Sequence, residues 1–95
     1  MSGPAILETC LYAEDLDAAE AFYAGVLGFE RARREGSRHV FFRAPGAMLL
    51  IFNPAESEAP PPPEGIAVPP HGARGPGHVC FSAAPEGLAA WRARL

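Results

Sequence analysis

Ile6 to Ala13 alternates with the two-residue period of a β-strand. Ile6, Glu8, Cys10 and Tyr12 fall on one side, and Leu7, Thr9, Leu11 and Ala13 on the other. The second side is the more evenly apolar, so it is expected to lie beneath a helix. That helix follows at once. Asp15 suits its N-cap, Asp17 its positive first turn and Gly28 its end. Leu16, Ala19, Phe22, Tyr23, Val26 and Leu27 form an apolar stripe at helical spacing. Three short strands are predicted next. Phe29 to Arg34 runs into a turn at Glu35-Gly36, and Arg38 to Arg43 is closed by Ala44-Pro45-Gly46. Met48 to Phe52 is a continuous apolar run, as expected of a strand buried on both faces. The pattern so far is β-α-β-β-β.

The pattern breaks at residues 54–76, which together with Asn53 hold eight of the eleven prolines, four of them consecutive at 60–63. Such a stretch reads as a stiff, extended connector with polyproline character, and a lid role is compatible with it. Beyond it, Gly77 to Ala83 is again strand-like. Pro85 opens a helix to Leu95, with Leu88, Trp91 and Leu95 expected to face inward and Arg92 and Arg94 near its negative end. The expected organisation is a first module over 1–53, a proline-rich linker over 54–76 and the start of a second module over 77–95.

Composition narrows the classes of function. The chain has 95 residues, a formal net charge of −3 and 48% hydrophobic residues, which suits one small globular domain. No apolar run approaches the ~20 residues of a membrane span, and the start lacks the basic and apolar regions of a secretory signal. Two cysteines seventy residues apart suggest reduced thiols in a cytoplasmic protein rather than a disulfide framework. The mild acidity argues against a nucleic-acid partner. Arg31, Arg33, Arg34, Arg38 and Arg43 are flanked by Glu30 and Glu35, and Arg31 and Arg33 are expected to share a strand face, which reads as a solvated one.

An offset of seventy residues brings an internal similarity into view. Glu8 falls on His78, Cys10 on Cys80, Leu11 on Phe81, Ala13 on Ala83 and Ala19 on Ala89. The chain restarts its own unit and stops after β-α. Under this offset Glu8 and His78 take equivalent places, both turned away from the helix-covered side. If the two units pack around a shared cleft, a carboxylate and an imidazole converge, and both suit a divalent metal of borderline hardness.

The segments "LETCLYAEDLDAAEAFYAGVLGFE", "RHVFFR", "MLLIFNP" and "GPGHVCFSA" resemble the vicinal oxygen chelate superfamily: glyoxalase I, extradiol dioxygenases, fosfomycin-resistance transferases and bleomycin-resistance proteins. The resemblance implies an α+β fold of paired βαβββ modules forming a cup, here one module followed by the β-α start of a second. It implies a divalent ion (Fe, Mn, Zn or Ni) held by residues on the first strands of the two modules and the last strand of the second. Glu8 sits at the first such position and His78 matches the "GH" that opens the second module. Two departures stand out. Met48 to Phe52 carries no carboxylate, which weakens a glyoxalase I assignment, and the expected closing Glu lies on a strand that the sequence does not contain. A fragment, or completion by a partner chain in a homodimer, is the corresponding expectation.

Each candidate also has a plainer reading. Glu8 can be a strand residue salt-bridged to an arginine of "RHVFFR", and His78 a hydrogen-bonded strand histidine. His71, in "PPHGARG", reads as a mobile loop residue, and His39 as a core-edge one. Cys10 and Cys80 read as small, buried, inert fillers, and Tyr12 and Ser82 as cup residues without an assigned role. Two functions remain. The leading one is a metal-dependent enzyme, dioxygenase-like or a lyase or transferase, acting on a small molecule whose vicinal oxygens bind the metal. The other is a metal-free module that sequesters a small molecule or antibiotic in an apolar cup.

Overall fold

A computed structural model describes residues 3–60, 63–64 and 69–95. Four strands form one sheet: β1 (Glu8–Tyr12), β2 (Glu30–Glu35), β3 (His39–Ala44) and β4 (Ala47–Phe52), in the order β1-β4-β3-β2. β4 lies parallel to β1 and antiparallel to β3, and β3 is antiparallel to β2. The α+β fold and its first βαβββ unit are as the sequence pattern predicts.

Helix α1 (Leu16–Glu20) continues as a wider π-type turn over Ala21–Val26 and carries the chain from β1 to the far edge of the sheet. Asp15 caps it, its side chain accepting from the Ala18 N–H at 3.0 Å. Gly28 ends it at φ 80, which lets the Phe29 N–H reach the Tyr23 carbonyl at 3.0 Å. Leu16 and Ala19 are buried against Val40, Phe42, Leu49 and Ile51, with Leu11, Ala13, Tyr23 and Ala24 packed alongside. The side of β1 carrying Leu11 and Ala13 is therefore the helix-covered one. The predicted stripe is corrected in one respect. A π-type turn takes more residues per revolution than an α-turn, so Tyr23 and Ala24 reach the core while Phe22 stays 40% exposed.

β4 is buried on both faces, with Leu49, Leu50, Ile51 and Phe52 at 6% exposure or less, as its continuous apolar run requires. In β2 the register shifts between Arg31 and Arg33. Arg31 pairs with Phe42 and Arg34 with Val40, on the helix side, whereas Arg33 pairs with Phe41 on the other. Arg31 and Arg33 thus do not share a face, because the bulge at Ala32 breaks the two-residue alternation. Arg31 and Arg34 both reach Glu20, and Arg34 also pairs with Asp17 at 2.8 Å. Within the basic cluster, Arg31, Arg34 and Arg43 are held in ion pairs.

The proline-rich stretch begins with an ordered turn, α2 (Pro54–Ser57), capped by the Asn53 side chain. Residues 61 and 62 of the four-proline run lie outside the described residues. Residues 77–83 form no ladder with the described strands and lead into a 3-10 turn (Pro85–Gly87) and α3 (Leu88–Arg94). Leu88 and Leu95 do not face inward: they are 54% and 73% exposed, because no described element packs on that side of the helix. Trp91 is half-buried beneath the Arg94 guanidinium, and Arg94 reaches the Gly25 carbonyl. Among the described residues no helix is long and apolar enough to cross a membrane.

Candidate functional site

Pairing fixes what lies on the face away from α1. Glu8 aligns with Met48, Cys10 with Leu50 and Phe41, and Tyr12 with Phe52 and His39. At the C-terminal end of β1 opens a cavity of about 650 Å³, lined by residues from both faces of the strand. Cys10 to Glu14, Tyr23 and Pro54 form one side, and residues 73–79 the other, so that His78 lines the same space as Cys10 and Tyr12. Glu8 is exposed and lies outside that lining, one same-face step before Cys10, or about 7 Å along the strand.

Of the two predicted ligands, only His78 lines this cavity. Glu8 is on β1, a same-face step from Cys10, and His78 is exposed on the extended segment. Neither is engaged in a hydrogen bond or ion pair among the described residues. The arginine partner considered for Glu8 is otherwise occupied: Arg43, two strands away in the same row, pairs with Glu30 at 3.5 Å, and Arg38 donates to the Glu56 carbonyl at 2.8 Å. A carboxylate and an imidazole are the right donor types for a divalent ion of borderline hardness. Their number falls short, because among the described residues no three His, Cys, Asp or Glu side chains come together to hold one. These residues do not by themselves complete a metal centre.

Two further expectations are revised. Cys10 and Cys80 are free thiols, as expected, but both are exposed rather than buried. Partial desolvation, and secondarily the charge of Glu8, push the Cys10 thiol above its ordinary pKa. His71, read as a mobile loop residue, is docked. Its Nδ1 lies 2.8 Å from the Tyr12 hydroxyl, and its ring meets Phe52 nearly perpendicularly at a centroid distance of 4.3 Å. A contact across fifty-nine residues leaves no local pattern in a sequence. The one available hint was that Tyr12 and Phe52, both aromatic, end strands on the same face.

His39 is buried in the same row, stacked on Phe41 and edge-on to Phe52. Burial lowers its pKa; Glu35, 3.5 Å from Nε2, opposes the shift, and the charges of Arg33 and Arg38 add to it. Its Nε2 has no hydrogen-bond partner of good geometry, and 3.5 Å to Glu35 is too long to count as one. The face away from α1 is thus an aromatic surface bordered by titratable groups.

Known proteins resemble this chain over nearly its whole length. A crystal structure of lactoylglutathione lyase from Agrobacterium tumefaciens is 43% identical with a TM-score of 0.85; the match covers 99% of this chain and 69% of that one. A glyoxalase/bleomycin resistance protein/dioxygenase from Nocardioides, 24% identical with a TM-score of 0.65, shares the fold over 99% of this chain and 64% of its own. No functionally curated protein matches. The profile of the Glyoxalase/Bleomycin resistance protein/Dioxygenase superfamily matches residues 5–92, and the chain belongs to that superfamily.

Proposed function

We propose that this chain is the binding and catalytic half-site of a small-molecule enzyme that depends on a divalent metal, with Glu8 and His78 each supplying one ligand. The observation that carries this reading is their placement. The His78 imidazole lines a cavity of about 650 Å³ from residues 73–79, the Glu8 carboxylate stands one same-face step beyond the cavity's Cys10 on β1, and neither side chain has a protein partner among the described residues. An exposed His and Glu without partners cost the fold little and are available to an ion. A volume of this size is within the range of small-ligand sites. The 43% identical neighbour is named a lactoylglutathione lyase, which supports an enzymatic role over a purely structural one.

A bound ion would act as a Lewis acid toward vicinal oxygens of the substrate. The chain's own residues would shape the site. Tyr12 and Tyr23 give it an apolar wall with hydroxyl tips, and Cys10, whose thiol is held protonated, adds a small polarisable surface. Since the described residues offer two donors, further ligands are expected from a second copy of the chain, which makes a homodimer part of the proposal.

Metal retention tests it. Protein purified without chelator and offered Fe(II), Mn(II), Ni(II) or Zn(II) is expected to retain one of them. Glu8→Ala and His78→Ala should each weaken retention at least tenfold while leaving the thermal transition in place. Unchanged retention in both variants would remove the assignment. Retention of no metal, with saturable binding of small apolar ligands, would favour the sequestering reading instead. One feature already supports that alternative: β4 presents only Met48, Leu50 and Phe52, with no donor, on the face away from α1.

A further inference from the structure

Residues 69–79 have no regular secondary structure, yet His71 is fastened at four points. Its N–H donates to the Ser57 carbonyl at 3.0 Å, and the Ser57 hydroxyl donates back to the His71 carbonyl at 2.6 Å. The Tyr12 hydroxyl meets Nδ1 at 2.8 Å, and Phe52 receives the imidazole edge-on. Ser57 is fully buried, so its hydroxyl has an obligate partner in that carbonyl. A second fastening lies three residues on, where Arg74 pairs with Glu58. Between the two, Gly72 makes room for Glu58: a Cβ there would stand 2.7 Å from Glu58 Cγ.

What these fastenings hold is the far wall of the cavity. Ala73 to Val79 lines it, and His78 is in that stretch. Tyr12 belongs to both structures, lining the cavity and bonding His71. The stretch has no ladder to fix it, so its position depends on where the chain is pinned upstream. Either tautomer can make this bond, Nδ1 accepting from the Tyr12 hydroxyl or donating to it, and in both cases the bond fixes the place of the ring.

We propose that His71 is a positioning residue: clamped between Tyr12, Ser57 and Phe52, it sets the wall of residues 73–79, and with it His78, over the end of β1. Its value for metal binding rests on the reading of His78 as a ligand; its value for order in the wall does not.

The test uses the full chain and two readouts. The first is backbone ¹⁵N relaxation. In the unaltered protein the order parameters of residues 73–79 are expected near the ~0.85 of rigid backbone; in Tyr12→Phe and in His71→Phe they should fall below about 0.6 while β3 and β4 are unchanged. The double variant should lose no more than either single one, and His71→Asn, which keeps an acceptor in place of Nδ1, should recover part of the order. Unchanged order in both single variants overturns the proposal. A loss spread equally over β3 and β4 also overturns it, because that is what a merely structural role produces. The second readout is titration with Ni(II) alone, expected to bind about tenfold more weakly to both single variants. If the unaltered chain binds no Ni(II) but the relaxation result stands, the metal reading fails and the clamp survives. If Ni(II) binds equally to all and the wall stays ordered, the clamp fails and the metal reading survives.

Discussion

The imidazole of His39 lies flat on the ring of Phe41, with centroids 4.2 Å apart and planes 10° from parallel. The two side chains leave β3 on the same face, two residues apart, and Phe52 closes the group from β4. A neutral imidazole is at home there, whereas an imidazolium would be poorly solvated.

The pH dependence of stability follows. The folded-state pKa of His39 lies below the unfolded ~6.5, so below that pH the unfolded chain takes up the proton first. The contribution of a neutral His39 is complete above about pH 6.5 and is lost as pH falls toward the folded-state value. Urea unfolding at pH 8 and pH 5.5 should show the drop, and His39→Phe should remove much of it. An identical pH difference in the variant would mean that another group is responsible.

The cap of α1 has a predictable worth. Asp15→Ala frees the Ala18 N–H and should cost about 1 kcal/mol, with Asp15→Asn close to neutral. Chemical denaturation is the measurement, and an Asp15→Ala midpoint equal to that of the unaltered protein would contradict the cap.

Phe42 and Ile51 are the largest side chains with almost no exposure, and both stand under α1. Phe42→Ala should cost about 3–5 kcal/mol, and Ile51→Val about 1 kcal/mol. A domain of this size has only about 5–15 kcal/mol in hand, so the first variant should be partly unfolded near body temperature by circular dichroism.

Cys10 reports on Glu8. Since the carboxylate is the lesser of the two influences raising the thiol pKa, Glu8→Gln should lower it only part of the way. Alkylation of Cys10 by iodoacetamide at neutral pH should then be modestly faster, because the thiolate is the reactive form. Followed by peptide mass spectrometry, an unaltered rate would separate Glu8 from the cavity wall.

Much of the fold was legible. The Asp15 cap, the stop at Gly28 and the unbroken run of β4 are local patterns with local physical causes, and each is present as predicted; the first strand is shorter than its alternation, Glu8–Tyr12, with Ile6 and Leu7 outside it and 70% and 77% exposed. What was not legible came from single-residue irregularities and from distant contacts. The bulge at Ala32 and the π-type turn after Glu20 each add a residue where periodicity assumes none, so the neighbours of Arg33 and Phe22 were placed on the wrong sides. The docking of His71 depends on Tyr12, Phe52 and Ser57 meeting in space, and no spacing rule joins them. Residues 77–83 have the composition of a strand, yet a strand exists only with a neighbour to bond, and none of the described strands forms a ladder with them.

Among the described residues β1 is an edge strand, and that edge has a consequence of its own. β4 bonds one side of β1, and the other side presents its N–H and C=O groups to whatever approaches, next to exposed Thr9 and Cys10. A parallel or antiparallel segment that docked there would widen the sheet and, by the same act, roof the space between Glu8 and the cavity. Growth of the sheet and closure of the site would then be a single event, so whatever governs the one would govern the other.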